Sequence, residues 1–482
     1  MTNILRIRII LWLFLAFIVA WIAYMGIVPG GEIVYSSDLS PDNFFVGKLS
    51  PSERLKSDSG KINNVIAGDP VYFSLRTPRL FDRAEISLRF KNFADASLIE
   101  AGVLADKKIW RYDLKPVKNR IIDQAALVWE VKKEGNIILL ANPEAGQKEK
   151  IEKLSIADFL ESLPDKGQVA EYNYELRRNF TIPDYDPDEQ KERVIVPKLI
   201  GAYQFYVYLK NEELDIEFEF ADLNKNRDSD DIALYLYLNN ELIDVRRLED
   251  DGIATDGGET KAARKLSFKL ADLPEGAYKM EVKANNDIVS DFTAKQNKIA
   301  FIGKIDLYRA GGKDLSIHTS SRQVQFTTTN PDCLQAIKLD GREFLISETY
   351  RQFKQDILGA SSTALIVLEK DGIAVSGDGI FAFSAEAFFD PRPKKADKYL
   401  DIRKNGINYI VADYVSPEKA EDWELKTVEF DLRRAYRENG RYGFIISAPD
   451  LKEGGAGIEL AEIQIRLSGK SLWQKISEII KK

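Results

Sequence analysis

The sequence predicts a mainly β protein in which tandem antiparallel β-sandwich domains follow one N-terminal transmembrane helix. Residues 9–28 contain no charged or amide side chain and no serine or threonine, although the whole chain is 30% charged. After residue 28, short runs of alternating apolar and polar residues recur, and this period of two is typical of half-buried strands. Asn, Asp, Gly and Pro separate the runs, as in all-β sandwiches.

The opening apolar stretch is the predicted membrane segment. Twenty helical residues at about 1.5 Å each span about 30 Å, the thickness of the bilayer hydrocarbon. Arg6 and Arg8 precede residues 9–28, and no lysine or arginine follows before Lys48. Since positive charge is retained in the cytoplasm, we expect residues 1–29 to form a cytoplasmic tip and a signal anchor in the cell membrane, with an extracytoplasmic body. The alternative is a cleaved signal peptide, which also exports the body.

Composition restricts the function classes. The net charge of −8 and the pI near 5.3 argue against a nucleic-acid partner, which needs a concentrated basic surface. Cys333 is the one cysteine, so no disulfide can form within the chain. His318 is the one histidine, which excludes zinc sites built from several His or Cys ligands. His318 lies in a strand-like run, and the sequence assigns no catalytic residue.

Clusters of Pro, Gly and Asp divide the body into predicted domains. These are a stalk at 30–69, β-sandwich domain 1 at 70–194, β-sandwich domain 2 at 195–311, a jelly-roll-like β-sandwich domain 3 at 312–468 and an amphipathic helix at 469–482. Domain 1 carries a short helical insertion, because Ser155 and Asp158 have the spacing of a capping box.

Domain 2 has the clearest strand pattern. Residues 214–220 alternate apolar with acidic side chains, so one side of this strand faces a core and the other faces water. Residues 232–238 repeat the alternation with leucines. Asn239 and Asn240 then supply two residues that tolerate the left-handed backbone of a tight hairpin.

Two segments carry a resemblance to known folds. Residues 273–282, Leu-Pro-Glu-Gly-Ala-Tyr-Lys-Met-Glu-Val, resemble the closing hairpin of immunoglobulin-like sandwiches. The long final strand of domain 3, after the Ser-Ala-Pro loop at 447–449, resembles the end of a jelly-roll domain of the carbohydrate-binding type. As a whole, the chain resembles the N-terminally membrane-anchored multi-β-sandwich envelope proteins of prokaryotes. This resemblance implies a role in handling or organising surface glycans.

The C-terminal segment changes to a helical period. Leu472, Trp473 and Ile476 fall on one side, and most of the lysines fall on the other. The segment is too short to span a membrane. The sequence leaves three positions open for it: docked on its own domain, lying on a lipid surface, or bound to a partner protein.

One loop of domain 2 has the composition of a calcium site. Oxygen-bearing side chains occupy every second position, namely Asp222, Asn224, Asn226, Asp228 and Asp230. In a tight loop this spacing turns hard oxygen ligands toward one point, as Ca²⁺ requires. The loop departs from the helix–loop–helix calcium motif, because Arg227 takes the place of glycine and no glutamate closes it. The alternative is a solvated acidic turn.

Four tyrosines of domain 2 form the candidate ligand surface. Tyr206 and Tyr208 have the opposite parity to the apolar residues of their strand, and Tyr235 and Tyr237 have the opposite parity to a row of leucines. If the leucines face the core, all four tyrosines face outward. Rows of flat aromatic rings stack on sugars, but they also form packing interfaces and cross-strand pairs. These alternatives stay open.

These observations favour a membrane-anchored extracytoplasmic binding or scaffold protein of the cell envelope, non-catalytic, with polysaccharide or an envelope protein as its partner. One alternative is a glycan-active enzyme that uses a pair of carboxylates, which spacing in sequence does not reveal. The other is a structural component of a surface layer.

Overall fold

The structure is a computed structural model of the full chain. It describes residues 3–38, 43–58, 61–108, 110–145, 155–161, 168–174, 180–187, 193–223, 230–250, 263–311, 314–357, 363–397, 400, 402, 406–451 and 455–480. The fold is mainly β, with antiparallel sheets and one N-terminal apolar helix, as predicted. The chain divides into two compact units. The first unit comprises Met1–Leu176 with Pro393–Lys482, and the second comprises Arg177–Arg392.

The α-helices of the described residues all belong to the first unit. They are α1 Asn3–Met25, α2 Arg120–Val128, α3 Ile156–Glu161 and α4 Leu472–Ile480.

The first unit begins with ten strands. They are β1 Glu32–Ser37, β2 Leu55–Asp58, β3 Lys61–Ile66, β4 Val71–Arg76, β5 Arg83–Asn92, β6 Leu98–Asp106, β7 Arg111–Asn119, β8 Glu130–Glu134, β9 Ile137–Ala141 and β10 Val169–Tyr172.

The second unit follows as a continuous segment. Its strands are β11 Val194–Ile195, β12 Leu199–Ile200, β13 Tyr203–Leu209, β14 Leu214–Asp222, β15 Ile232–Leu238, β16 Glu241–Leu248, β17 Arg264–Leu270, β18 Gly276–Lys283, β19 Ile288–Ala294, β20 Ile299–Asp306, β21 Leu315–Thr319, β22 Gln323–Thr327, β23 Gln335–Leu339, β24 Arg342–Ile346, β25 Phe353–Asp356, β26 Ala364–Leu368 and β27 Ala374–Ala382.

The chain then returns to complete the first unit. The returning strands are β28 Lys394–Lys395, β29 Tyr409–Asp413, β30 Glu418–Ala420, β31 Trp423–Asp431, β32 Arg437–Glu438, β33 Arg441–Ser447 and β34 Ile458–Ser468.

Two antiparallel sheets of the first unit form a sandwich. One sheet has the order β2-β3-β34-β5-β31-β30, with β1 also on β34, and the other has the order β32-β33-β6-β7, with β4 on β33. Their inner faces share one apolar core. Phe444 of β33 stacks on Phe73 of β4 with ring centroids 5.2 Å apart, and its ring meets the edge of Phe430 of β31 at 5.9 Å.

A third sheet of the first unit is mixed and carries helices on both faces. Its order is β28-β10-β29-β9-β8, and β10 runs parallel to β28 and β29. Because neighbouring residues of a strand point to opposite faces, Leu140 packs with Ile122 of α2 and Leu139 packs with Phe159 of α3. The sequence did not predict the parallel pairs.

The two units divide the chain differently from the predicted stalk and three consecutive domains. Residues 32–37, expected in the stalk, form β1 and pair with β34 near the C-terminus. Residues 458–468, expected to close domain 3, also pair with β5 of the predicted domain 1. Strand β27 also falls in the predicted domain 3, but it pairs with β20, which falls in the predicted domain 2. These pairings join residues far apart in sequence, which local patterns do not reveal.

The second unit is also built on a sandwich. One sheet has the order β11-β19-β14-β17, with β12 on β19; the other runs β16-β15-β18-β13-β20-β27-β21-β26-β23-β24, with β22 on β27 and β25 on β22. Phe205 of β13 and Phe292 of β19 stack across the core with ring centroids 4.9 Å apart. The predicted hairpin is present, because Asn239 and Asn240 both have positive φ between β15 and β16.

Candidate metal centre

Three aspartates meet at one edge of the smaller sheet of the second unit. Asp222 ends β14, Asp230 lies two residues before β15, and Asp287 immediately precedes β19. Strands β14 and β19 are antiparallel neighbours, and their register places Asp222 opposite Ile288. Leu223 donates its N–H to the carbonyl oxygen of Asp287 over 3.1 Å. Strand pairing therefore fixes Asp287 beside the end of β14.

The three carboxylates form a tight, buried cluster. One ligand atom from each aspartate lies within 4.8 Å of those of the other two. The exposed fractions are 6% for Asp222, 2% for Asp230 and 1% for Asp287. Three carboxylates that are all ionised in such a site repel one another, and burial adds a large desolvation cost. The arrangement therefore requires a proton or a cation to balance it.

Asp287 gives the clearest indication of a cation site. Within the described residues, both of its carboxylate oxygens are buried and neither accepts a hydrogen bond. None of the ion pairs among those residues involves Asp287. Nearby Arg264 donates to the carbonyl oxygens of Asp230 at 3.2 Å and of Glu249 at 2.7 Å, so these bonds go to backbone rather than to carboxylate. A buried carboxylate without a donor is costly.

Asp230 has the most perturbed acidity of the three. Burial raises its pKa to about 7, and a hydrogen bond from one carboxyl to the other together with the charge of Asp222 adds to the rise. The charge of Asp287 raises the pKa further, whereas a hydrogen bond with Asn285 lowers it. This is the behaviour of like charges that share a site. A bound cation lowers the pKa of these carboxyls, because a cation favours the ionised form.

The donor set and spacing fit calcium. Ca²⁺ takes six to eight oxygen ligands at 2.3–2.6 Å, so two oxygens on opposite sides of one ion are about 5 Å apart. The three aspartates offer only oxygens, at separations within 4.8 Å. Three carboxylates supply at most six of these ligands, and backbone carbonyls or water would complete the shell. Zinc prefers nitrogen and sulfur ligands, which this cluster lacks.

The structure brings two of the five predicted calcium ligands together. Asp222 and Asp230 lie in the cluster, as the loop pattern predicts. Asn224, Asn226 and Asp228 lie outside the described residues. Sequence reasoning missed Asp287, which is far from the predicted loop in the chain. The available signal was Asn285-Asn286-Asp287, a second group of oxygen-bearing side chains in a turn before a strand.

The four predicted tyrosines lie on one face of the larger sheet. Tyr206 and Tyr237 both lie opposite Lys279 of β18, on its two sides. Tyr208 lies opposite Ala277, and Tyr235 lies opposite Glu281. In an antiparallel sheet, directly opposite residues share a face. The predicted common orientation of the four side chains is present.

Tyr208 is covered by another part of the second unit. Its ring is fully buried, in edge contact with Tyr185 at 5.0 Å and Phe180 at 6.1 Å between centroids. Its hydroxyl accepts a hydrogen bond from the N–H of Ile182 at 2.9 Å and donates to Glu275. This burial removes Tyr208 from the predicted ligand surface. The alternation of residues along one strand cannot show which segment covers a sheet face.

Lysines cover the rings of Tyr235 and Tyr237. The two rings stack with centroids 6.3 Å apart. The Lys283 ammonium lies 4.7 Å from the centroid of Tyr235, and the Lys279 ammonium lies 4.8 Å from that of Tyr237. Lys279 also donates to the buried Glu281 over 2.8 Å. A sugar that stacks on these rings has to displace cation–π contacts.

Comparisons with known proteins assign the chain to no family. No protein-family model and no curated protein matches the chain. Among solved structures, the chain is similar to dimeric latent PorU from Porphyromonas gingivalis, with 12% identity over 63% of this chain and 32% of that chain. It is also similar to the VP2 subviral particle of infectious bursal disease virus, with 8% identity over 91% and 79% of the two chains. Both TM-scores are 0.13, too low to carry an argument. The chain spans about a third of the PorU chain.

Proposed function

We propose that this chain is a membrane-anchored, extracytoplasmic scaffold or binding protein of the cell envelope, non-catalytic, whose second unit is stabilised by one calcium ion. The observation that carries the proposal is the buried cluster of Asp222, Asp230 and Asp287. A cation there offsets the repulsion of three carboxylates and supplies the partner that Asp287 otherwise lacks in the described structure. The ion's role is to hold strand ends together.

The location of the body makes calcium the appropriate ion. Extracellular calcium modules bind with dissociation constants of about 10⁻⁴–10⁻³ M, which suits compartments with abundant calcium. Helix α1 supports export, because the segment Leu5–Gly31 is long and apolar enough to cross a membrane and its side chains are exposed. Arg6 and Arg8 favour a cytoplasmic N-terminus. The calcium site and the predicted topology therefore support each other.

Polysaccharide binding is the second candidate function. Tyr235 and Tyr237 present stacked rings on an outer sheet face, and such rings can stack on sugars. The adjacent Lys279 and Lys283 add positive charge to this surface. An acidic polysaccharide suits this combination better than a neutral one, because it gains charge contacts when the lysines move aside.

The lone thiol of Cys333 provides a test of the calcium site. Cys333 belongs to the core of the second unit and is 1% exposed, so a thiol reagent reaches it only when this unit opens. Binding of calcium to the folded state lowers the open fraction by the factor 1 + [Ca²⁺]/Kd. At about 5 mM calcium, the affinities above predict labelling about 6- to 50-fold slower than in EDTA. The measurement uses the full chain in detergent.

Matched variants separate calcium binding from general effects of charge. Asp287→Asn removes one ligand charge with little change of shape, and it should abolish the calcium effect. It should also slow labelling in EDTA, because it relieves repulsion in the empty cluster. Asp306→Asn, which breaks an exposed pair with Lys304 in the same unit, should keep the full calcium response. Equal labelling rates of the native protein with calcium and with EDTA contradict the proposal.

A further inference from the structure

The C-terminal helix α4 lies where the N-terminal helix α1 meets the body. The Lys475 ammonium of α4 donates a hydrogen bond to the carbonyl oxygen of Gly26, the residue after α1. Gly469, just before α4, donates its N–H to the carbonyl oxygen of Gly31 over 3.0 Å. These contacts fix α4 beside the point at which α1 leaves the membrane, if α1 spans it as proposed above.

The start of α4 is well defined. Ser471 and Gln474 form a reciprocal cap, because the N–H of Ser471 donates to the Gln474 side chain at 2.8 Å and the N–H of Gln474 donates to Ser471 Oγ at 3.3 Å. Lys470 and Glu478 form an ion pair at 2.8 Å along the polar side. The hydrogen bond from Lys475 to Gly26 turns the Lys475 side of the helix toward the body.

The outward side of α4 is apolar. Leu472, Trp473 and Ile480 are 49%, 78% and 77% exposed, and their spacing places them on one face of a helix. A nine-residue helix gains little stability in water by itself. An indole exposed to this extent on a helix that is fixed in place indicates a surface that is covered in the working protein.

The position of this face identifies what covers it. From Ile9, the first residue after Arg8, to Gly26 the chain extends about 26 Å at 1.5 Å per residue, close to the roughly 30 Å of bilayer hydrocarbon. The end of α1 therefore lies near the outer edge of the hydrocarbon, next to the headgroup layer. A helix is about 10–12 Å wide, so α4, bonded to Gly26, lies at the same depth. Tryptophan and short amphipathic helices favour this layer.

The charged side chains beside Gly26 also suit a contact with lipid headgroups. A cleft of about 540 Å³ beside Gly26 is lined by Arg433 and Lys475, together with the half-exposed Leu80. Lys470, Asp82 and Glu478 line it as well; Glu478 is paired with Lys470 at 2.8 Å and Arg433 is paired with Asp431 at 2.7 Å. Basic side chains beside an apolar face are typical of helices that lie on phospholipid.

We propose that α4 lies on the bilayer surface beside α1 and inserts Leu472, Trp473 and Ile480 among the lipid headgroups. The inference rests on the proposed membrane-spanning role of α1. It adds a second contact between the first unit and the membrane. A body held by one helix can tilt freely, whereas one held by α1 and α4 has a fixed inclination to the bilayer.

The test uses the full chain in nanodiscs that hold one copy each. Cys333 is buried and reacts only when the second unit opens, so a brief labelling reaction places a single environment-sensitive label at Trp473→Cys. Trp12→Cys reports on α1, and Leu127→Cys, at an 84% exposed position of α2, is the matched control on another helix. Nitroxide groups on lipid headgroups and upper acyl chains should quench the labels at positions 473 and 12, but not the label at position 127.

The outcomes separate the two proposals. Quenching at position 12 without quenching at position 473 overturns the role of α4 and leaves the membrane anchor intact. Absence of quenching at both positions overturns the anchor itself. If the label at position 473 becomes shielded only when two copies share a disc, a second copy of the chain covers α4 and the lipid contact is wrong.

Discussion

Tyr35 of β1 lies directly opposite Ile465 of β34, so the first strand after the apolar helix pairs with the last strand of the chain. Ile465 is fully buried and also lies opposite Ile86 of β5. The first unit is therefore complete only when both ends of the chain have met. The second unit occupies the sequence between them and is formed from one continuous segment.

Loss of the Ile465 side chain should destabilise the first unit. Ile465→Ala leaves a cavity in the sandwich core and should cost about 2–5 kcal/mol of unfolding free energy. All six tryptophans belong to the first unit, so the urea midpoint of tryptophan fluorescence reports on this unit. Gln464→Ala, at the exposed neighbouring position, should change the free energy by less than about 0.5 kcal/mol. Equal effects of both changes contradict the pairing.

Glu100 should make the stability of the first unit depend on pH. Burial raises its pKa above the usual value, and Tyr172 donates to its carboxylate at 3.2 Å; Lys395 lowers the pKa and Asp397 raises it. Because the folded unit holds this proton more tightly than the unfolded chain, stability is greatest below the unfolded pKa and falls as pH rises toward the folded pKa. The limiting slope for one proton is about 1.4 kcal/mol per pH unit.

Glu100→Gln should remove this dependence, because the amide oxygen still accepts from Tyr172 and does not titrate. The variant should be more stable than the native protein at pH 7, with the difference shrinking toward pH 4. The exposed Glu144→Gln serves as the control. Tryptophan-monitored urea unfolding at several pH values gives the comparison, and a difference that is constant with pH would falsify the assignment.

Replacement of Tyr208 should destabilise the second unit, whereas replacement of Tyr235 should not. Tyr208→Ala empties a buried site and leaves the N–H of Ile182 without its acceptor, so we expect a cost of about 3–5 kcal/mol and faster thiol labelling of Cys333. Tyr235→Ala, on the outer face, should leave the labelling rate nearly unchanged. If a polysaccharide binds this face, the second change alone should weaken binding on a glycan array at unchanged stability.

The predicted orientation can be tested with protease. In spheroplasts of a bacterial host, external protease should digest the body and leave the N-terminal tip protected, and alkaline carbonate should not release the chain from membranes. Changing Arg6 and Arg8 to Glu should reduce the protected fraction, because it removes the positive charge that retains this end in the cytoplasm. Recovery of the native chain in the soluble fraction contradicts the anchor.

Local sequence patterns predicted many elements of this fold correctly. The alternating runs at 214–220 and 232–238 became β14 and β15. The capping box was also present: Asp158 donates its N–H to Ser155 Oγ at 3.0 Å, and the N–H of Ser155 donates to the Asp158 carboxylate. These features depend on residues a few positions apart, which the sequence displays directly.

Other features depend on residues that meet only in the folded chain. Helix α2 was not predicted from the sequence; it begins where the Asn119 side chain accepts from the N–H of Ile122 at 3.1 Å, and its Leu127 is exposed. Asp287 joins the acidic cluster through the pairing of β14 with β19. Period and composition do not reveal such partners, since strand pairing across long separations sets them.

The most direct test of the account is the calcium content of the full-length protein. Equilibrium dialysis in detergent at pH 7.5, followed by elemental analysis, gives the number of ions bound per chain. We predict one calcium for the native protein and for Asp306→Asn, and a large loss of binding for Asp287→Asn. Absence of calcium from the native protein, or equal binding by Asp287→Asn, contradicts the metal centre.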